Sequence, residues 1–167
     1  SAAIMQDLGE KYLLDSFLIT LGIVEFSFGD YTAAREHFEH GLAVAQEIKH
    51  PWGAADALTN LGGVCRIQGD YSTAQNYLEE ALQVYQRVGR SIWESDVLCA
   101  LAENAIAQGD LSTARRHLQS ASCLLESSDN QWLWTLVCYF RGLLVLYEGD
   151  AASASTMLEE TAALAMT

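Results

Sequence analysis

The sequence predicts an all-α protein, an α-α superhelix of about four helix-turn-helix repeats with eight main helices. Three observations predict it. The pair Gly-Asp recurs at Gly29, Gly69, Gly109 and Gly149, forty residues apart each time. Apolar residues upstream of each pair recur at intervals of three and four, as in Leu58, Leu61 and Cys65, which places them on one helical face. A single proline and the lack of any alternating Val/Ile/Thr-rich run leave little material for a sheet.

Each element follows from the forty-residue register. Gly69 fits the left-handed position that closes a helix, and Asp70 fits the N-cap of the next one. Two helices joined by so tight a corner are antiparallel neighbours. First helices are expected near residues 12–28, 52–68, 92–108 and 132–148, and second helices near 31–47, 71–88, 111–127 and 151–165. Pro51 suits the first turn of the helix it opens, and Asp129 or Asn130 suits the cap of the fourth unit's first helix. Ala34, Ala74, Ala114 and Ala154 form one row of small residues, and Gly22, Gly62, Ala102 and Gly142 form another. Small side chains there let two backbones approach where helices cross. The units are approximately 10–49, 50–89, 90–129 and 130–167, and "AIMQDLG" at Ala3 to Gly9 reads as the tail of a preceding unit. "MLEETAALAMT" offers no polar terminal cap of the kind stacked arrays use, so the chain is expected to be a piece of a longer array.

Composition narrows the functional classes. A net charge of −13 with only nine Lys or Arg argues against direct nucleic-acid contact and against an anionic membrane surface. No apolar stretch approaches the length of a membrane span, and the N-terminus lacks the pattern of a secretory signal. The expected location is the cytoplasm. Cys65, Cys99, Cys123 and Cys138 lie far apart within helical patterns, which reads as reduced, buried thiols. His37 and His40 are three apart with no third ligand at matching spacing, so no metal is expected. Glu79-Glu80 and Glu159-Glu160 are sequence neighbours, and on a helix they point about 100° apart and cannot share a proton. No Gly-rich phosphate loop follows any Gly-Asp pair. No cofactor is expected, and no enzyme. The weakest alternative is a catalytic Glu103 hidden in a groove.

The order Leu61, Gly62, Ala74, Leu78, Ala81 resembles the tetratricopeptide repeat, and it recurs along the chain. The unit departs from that family in its forty-residue length, in Cys65 where an aromatic is expected, and in lacking a proline after the second helix. Units of this length with "GDYSTAQNYLEEAL" at Gly69 to Leu82 are similar to the sensor arrays of large LuxR-type bacterial regulators related to the maltose-operon activator. The resemblance implies a right-handed solenoid whose first helices line a concave groove. By position that groove presents Ser16, Ile19 and Ile23, then Asp56, Thr59, Asn60 and Arg66. Asp96, Cys99, Glu103 and Asn104 follow, and then Leu136, Tyr139 and Leu143.

The fourth unit is unlike the others. "QWLWTLVCYFRG" concentrates Trp132, Trp134, Tyr139, Phe140 and Arg141, and Arg141 replaces the leucine of Leu21, Leu61 and Leu101. Aromatics and Arg dominate binding hot spots, while an Arg also snorkels from beneath its neighbours; the sequence leaves both open. The expected function is a non-catalytic module for a protein or peptide partner, or a small polar inducer, within a bacterial transcription regulator or signalling ATPase. The alternative is a self-association element that buries uncapped ends against copies of itself.

Overall fold

A computed structural model describes residues 2–125 and 130–165, and every described element is an α-helix. The helices are α1 (Ala2–Phe28), α2 (Tyr31–Glu47), α3 (Pro51–Ile67), α4 (Tyr71–Val88), α5 (Ser91–Ala107), α6 (Leu111–Leu125), α7 (Gln131–Tyr147) and α8 (Ala151–Ala165). The chain divides into two compact units, Ser1–Val84 and Tyr85–Thr167, with the division inside α4. The all-α helical-repeat class that the register predicts is the observed one.

The hairpin corners form as their residues dictate. Gly29, Gly69, Gly109 and Gly149 have φ of 84°, 81°, 77° and 93°, a conformation in which a Cβ is costly. Behind Gly69 the chain folds back on α3, the Gly69 N–H donating to the Arg66 carbonyl at 3.0 Å and the Asp70 N–H to the Cys65 carbonyl at 2.9 Å. Those two bonds satisfy carbonyls that the end of α3 would otherwise leave open. The aspartate then starts the next helix. Oδ1 of Asp30, Asp70, Asp110 and Asp150 accepts from the N–H of Ala33, Thr73, Thr113 and Ser153 at 3.0, 3.1, 3.0 and 3.1 Å.

In the first unit, α2 packs against both α1 and α3. Its core joins Ile19, Ala34, Phe38, Ala57, Leu61 and Val64, with Phe26, Tyr31, Leu42 and Tyr77 packed against it. The small-residue row sets how closely the helices cross. A Cβ on Gly22 would run into the Phe38 ring, and one on Gly62 would stand 2.7 Å from Leu78 Cγ. In the second unit α5 packs on α6 and α7 on α8. Leu118 and Ala121 of α6 are buried with Leu101 and Ala102 of α5 and with Leu133 and Val137 of α7. Gly142 repeats the close crossing, its missing Cβ 2.7 Å from Leu158 Cδ2. Tyr85 stacks on Trp93 with centroids 6.3 Å apart, and Ser95 donates to the Ala121 carbonyl at 3.3 Å.

Two local expectations are revised, and the α2–α3 link adds a corner of its own. α1 begins at Ala2 rather than near residue 12, and Gly9 lies inside it. A lone glycine costs a helix only about 1 kcal/mol, and the Lys11–Asp7 ion pair at 3.3 Å spans the position. The α2–α3 link turns on Lys49, whose φ is 55°, where the equivalent residue of the next link is Gly89. Cys123 is exposed and Cys138 half-buried, where both were expected to be buried. Pro51 opens α3 as expected and Asn130 caps α7, accepting from the Leu133 N–H at 3.0 Å; Asp129 and the expected end of the second helix at 127 lie outside the described residues.

Two predictions follow from these contacts. Gly22→Ala gains helix propensity of about 1 kcal/mol but overpacks the buried Phe38 ring, which costs about 1–3 kcal/mol. The expected outcome is a lower thermal midpoint, and an unchanged or raised midpoint would show slack at the α1–α2 crossing. The second concerns acid. The hydroxyl and N–H of Thr73 hold the Asp70 carboxyl below its usual range, and the N–H and hydroxyl of Thr113 do so for Asp110. Ser153 lowers Asp150 in the same way, through its hydroxyl first. A depressed folded pKa stabilises the protein above the unfolded carboxylate value of about 4, and that contribution is lost as pH falls through the folded value. Asp110→Asn keeps a cap but cannot titrate, so its stability should fall less steeply between about pH 5 and pH 3; parallel acid titrations of the two proteins by circular dichroism check it.

Candidate functional site

Helix rotation decides which expected groove residues meet solvent. On α1, Ser16 is exposed and donates to the Tyr12 carbonyl at 3.2 Å, and Ile23 is 46% exposed. Ile19 is not a surface residue, because it belongs to the core around Phe38. On α3, Asp56, Thr59, Asn60 and Arg66 are half-buried. Thr59 and Asn60 direct donors to the Ala55 and Asp56 carbonyls of their own helix, each at 2.8 Å.

On α5, Asp96 and Glu103 are half-buried, but Cys99 and Asn104 are 1% and 0% exposed and do not line an open face. Burial pushes the Cys99 thiol up to about 12, helped by the carboxylates of Asp96 and Glu103. A thiol held protonated in this way is not a nucleophile at neutral pH.

α7 carries the most open chemistry. Leu133, Val137, Phe140 and Leu144 turn inward. On one side, Trp132, Thr135, Leu136 and Tyr139, spaced three and four apart, line a cleft with Leu158, Thr161 and Ala162 of α8. Its volume is about 520 Å³. Trp132 is 67% and Tyr139 44% exposed, and the Tyr139 ring stands edge-on to Phe140 at 5.3 Å. Thr161 donates its hydroxyl to the Met157 carbonyl at 2.7 Å, which leaves the walls chiefly apolar. Leu143 is half-buried and lines neither this cleft nor the next.

Arg141 lies on the opposite side of α7 from Tyr139. Two residues along a helix are about 200° around it. Arg141 enters a second cleft of about 490 Å³ with Leu144 and Val145, facing Arg115, Gln119 and Cys123 of α6 and Met157 of α8. The Arg115 guanidinium is ion-paired with Glu148, and Ser122 donates to the Leu118 carbonyl at 2.8 Å. Beside the cleft, burial raises the Cys138 thiol pKa, Arg141 lowers it and Glu160 raises it.

A buried pair escaped the sequence reading. Asp15 on α1 is 1% exposed, and its Oδ2 lies 2.7 Å from Nδ1 of His50, the residue preceding α3. Tyr12 covers the imidazole edge-on with centroids 4.8 Å apart. The other carboxylate oxygen, Oδ1, has no hydrogen-bond partner among the described residues. Gly53 makes room, since a Cβ there would meet both Asp15 and His50. A signal was present, because Asp15 aligns with Ala55, Ser95 and Thr135 and is the one charged member of a small-residue row. The pair ties α1 to the α2–α3 link. Among the described residues no three His, Cys, Asp or Glu side chains are arranged to hold a metal ion, and no helix is long and apolar enough to cross a membrane.

Solved structures share this architecture at low sequence identity. BtubC from P. vanneervenii is 18% identical with a TM-score of 0.74, the match covering 93% of this chain and 65% of that one. A Rap protein complexed with competence and sporulation factor is 20% identical with a TM-score of 0.81, covering 91% of this chain and 43% of its own. The tetratricopeptide domain of Arabidopsis FLU is 23% identical with a TM-score of 0.65, covering 71% and 99%. The chain thus spans about two-thirds of BtubC and under half of the Rap protein. No curated protein matches it. Two family models, both described as tetratricopeptide repeat, match residues 16–48 and 53–127, and over those residues the chain is built of tetratricopeptide repeats.

Proposed function

We propose that the chain is a non-catalytic protein- or peptide-binding module, the regulatory or sensor part of a larger cytoplasmic bacterial transcription regulator or signalling ATPase. The observation that carries the binding role is the α7–α8 cleft, where Trp132 and Tyr139 stand exposed over apolar walls. Exposed aromatics beside an apolar cleft are the usual anchors of protein recognition. Those walls favour a peptide side chain over a small polar inducer. The Rap structure, solved with a competence and sporulation factor, and the forty-residue unit support the regulatory setting.

Selection of phage-displayed peptides against the purified chain tests this reading. The selected peptides should carry an apolar or aromatic residue, and Tyr139→Ser or Trp132→Ser should weaken them about tenfold or more. Thermal midpoints should barely move, as expected of exposed positions. Equal affinity for the variants would remove the cleft from the function.

A second reading, self-association, has its own observation. Leu13, Phe17 and Val24 on α1 are 74%, 60% and 43% exposed. Their equivalents on α7, Leu133, Val137 and Leu144, are 1%, 0% and 3% exposed. α1 therefore presents uncovered the stripe that α7 buries, and a second copy offering its α7–α8 cleft would cover it head to tail. Sedimentation velocity should then show heavier species as concentration rises, and Phe17→Ser should abolish them. A wild-type monomer at every concentration ends this reading.

A further inference from the structure

The cleft that contains Arg141 is made by a paired change of residues. Arg35 on α2 donates to Gln68 after α3 at 2.6 Å. Forty-residue repetition turns that contact, two units on, into the Arg115–Glu148 ion pair. Arg115 is therefore a structural clamp. The same antiparallel register sets Ser122 of α6 opposite Arg141 of α7, where α2 and α3 have Leu42 and Leu61. Leu61 is fully buried and Leu42 packs against its core. Of the other aligned residues, Leu101 is fully buried too and Leu21 is half-buried. Both partners of an apolar contact have thus become polar, and the result is an open space of about 490 Å³ with an exposed guanidinium in its wall.

We propose that this cleft binds an acidic side chain presented by a partner protein. Arg141 supplies a planar, permanently charged donor fork. It makes no hydrogen bond or ion pair with the described residues. Leu118, Leu144, Val145 and Met157 line the same cleft and suit the methylene stem of a glutamate. A chain terminus would bring main-chain amides into these apolar walls, and Ser122 already spends its hydroxyl proton on Leu118. A dianionic phosphate is the poorer fit, because one unpaired guanidinium faces it within a chain of net charge −13.

This inference rests on the protein-binding reading but uses the other side of α7. The test is a titration of the isotope-labelled chain, following by NMR the Arg141 Nε–Hε resonance and, in every variant, the backbone amide resonances of the cleft residues Leu118, Leu144 and Val145. The probes are the peptide acetyl-Ala-Leu-Glu-Leu-Ala-amide, its glutamine counterpart, a neutral peptide ending in a free carboxylate, and inorganic phosphate. The glutamyl peptide should shift the resonance saturably, and the other three probes should bind about tenfold or more weakly. Arg141→Leu restores the residue of the other repeats, so it should fold and lose the binding. Arg141→Gln provides a neutral polar control should the leucine variant alter packing. Tyr139→Ser should leave the glutamyl titration unchanged, which separates failure here from failure of the aromatic cleft. Equal binding by the glutamine peptide or by Arg141→Gln overturns the proposal, as does no shift at about 10 mM peptide. Phosphate or the free terminus binding as tightly as glutamate would overturn the assignment to an acidic side chain.

Discussion

A glycine in the left-handed conformation followed by a capping aspartate fixes where the α1–α2, α3–α4, α5–α6 and α7–α8 hairpins turn. The glycine returns the chain within one residue, so the two helices leave the corner antiparallel and in contact. The aspartate aligns the second helix by holding its first free N–H groups. Once direction and register are set, side-chain size at the crossing sets the separation. Gly22 accepts Phe38, and Gly62 and Gly142 accept leucines. The apolar stripes come together because the corner leaves them no other arrangement.

This hierarchy explains how much could be read from the residues alone. Corners and caps are local chemistry, so Gly69, Asp70, Pro51 and Asn130 announced themselves. Facing is not local. The intervals of three and four that group Ile19, Cys99 and Asn104 with exposed neighbours do not say which stripe a second helix will cover, and all three are buried. Arg141 and Tyr139 looked like one cluster because they are close in sequence, and helix rotation separates them. Lys49 hid a left-handed corner, since glycine is the usual marker and lysine is not. Asp15 was legible only as an exception to its row. Its partner His50 lies 35 residues away, and neither residue carries a mark of the pairing.

On the two proposals, the sides of α7 would divide recognition between unlike physics. The Trp132–Tyr139 side gains from removing apolar surface from water, a contribution that salt scarcely alters. On the Arg141 side the gain comes from a charge-assisted hydrogen bond, which ionic strength and the acidic background both weaken. A partner that used both would need an apolar anchor and an acidic residue arranged to straddle one helix.

Within each unit, packed helices are neighbours or next-neighbours along the chain. Such contacts close only short loops, so little entropy is lost before they form. Within each unit such local contacts let neighbouring helices pair early. Disassembly has the same freedom. α8, packed on α7 alone among the described helices, is the element whose detachment leaves the second unit most nearly whole, whereas α1 is held by α2, by α3 and by the Asp15–His50 clamp.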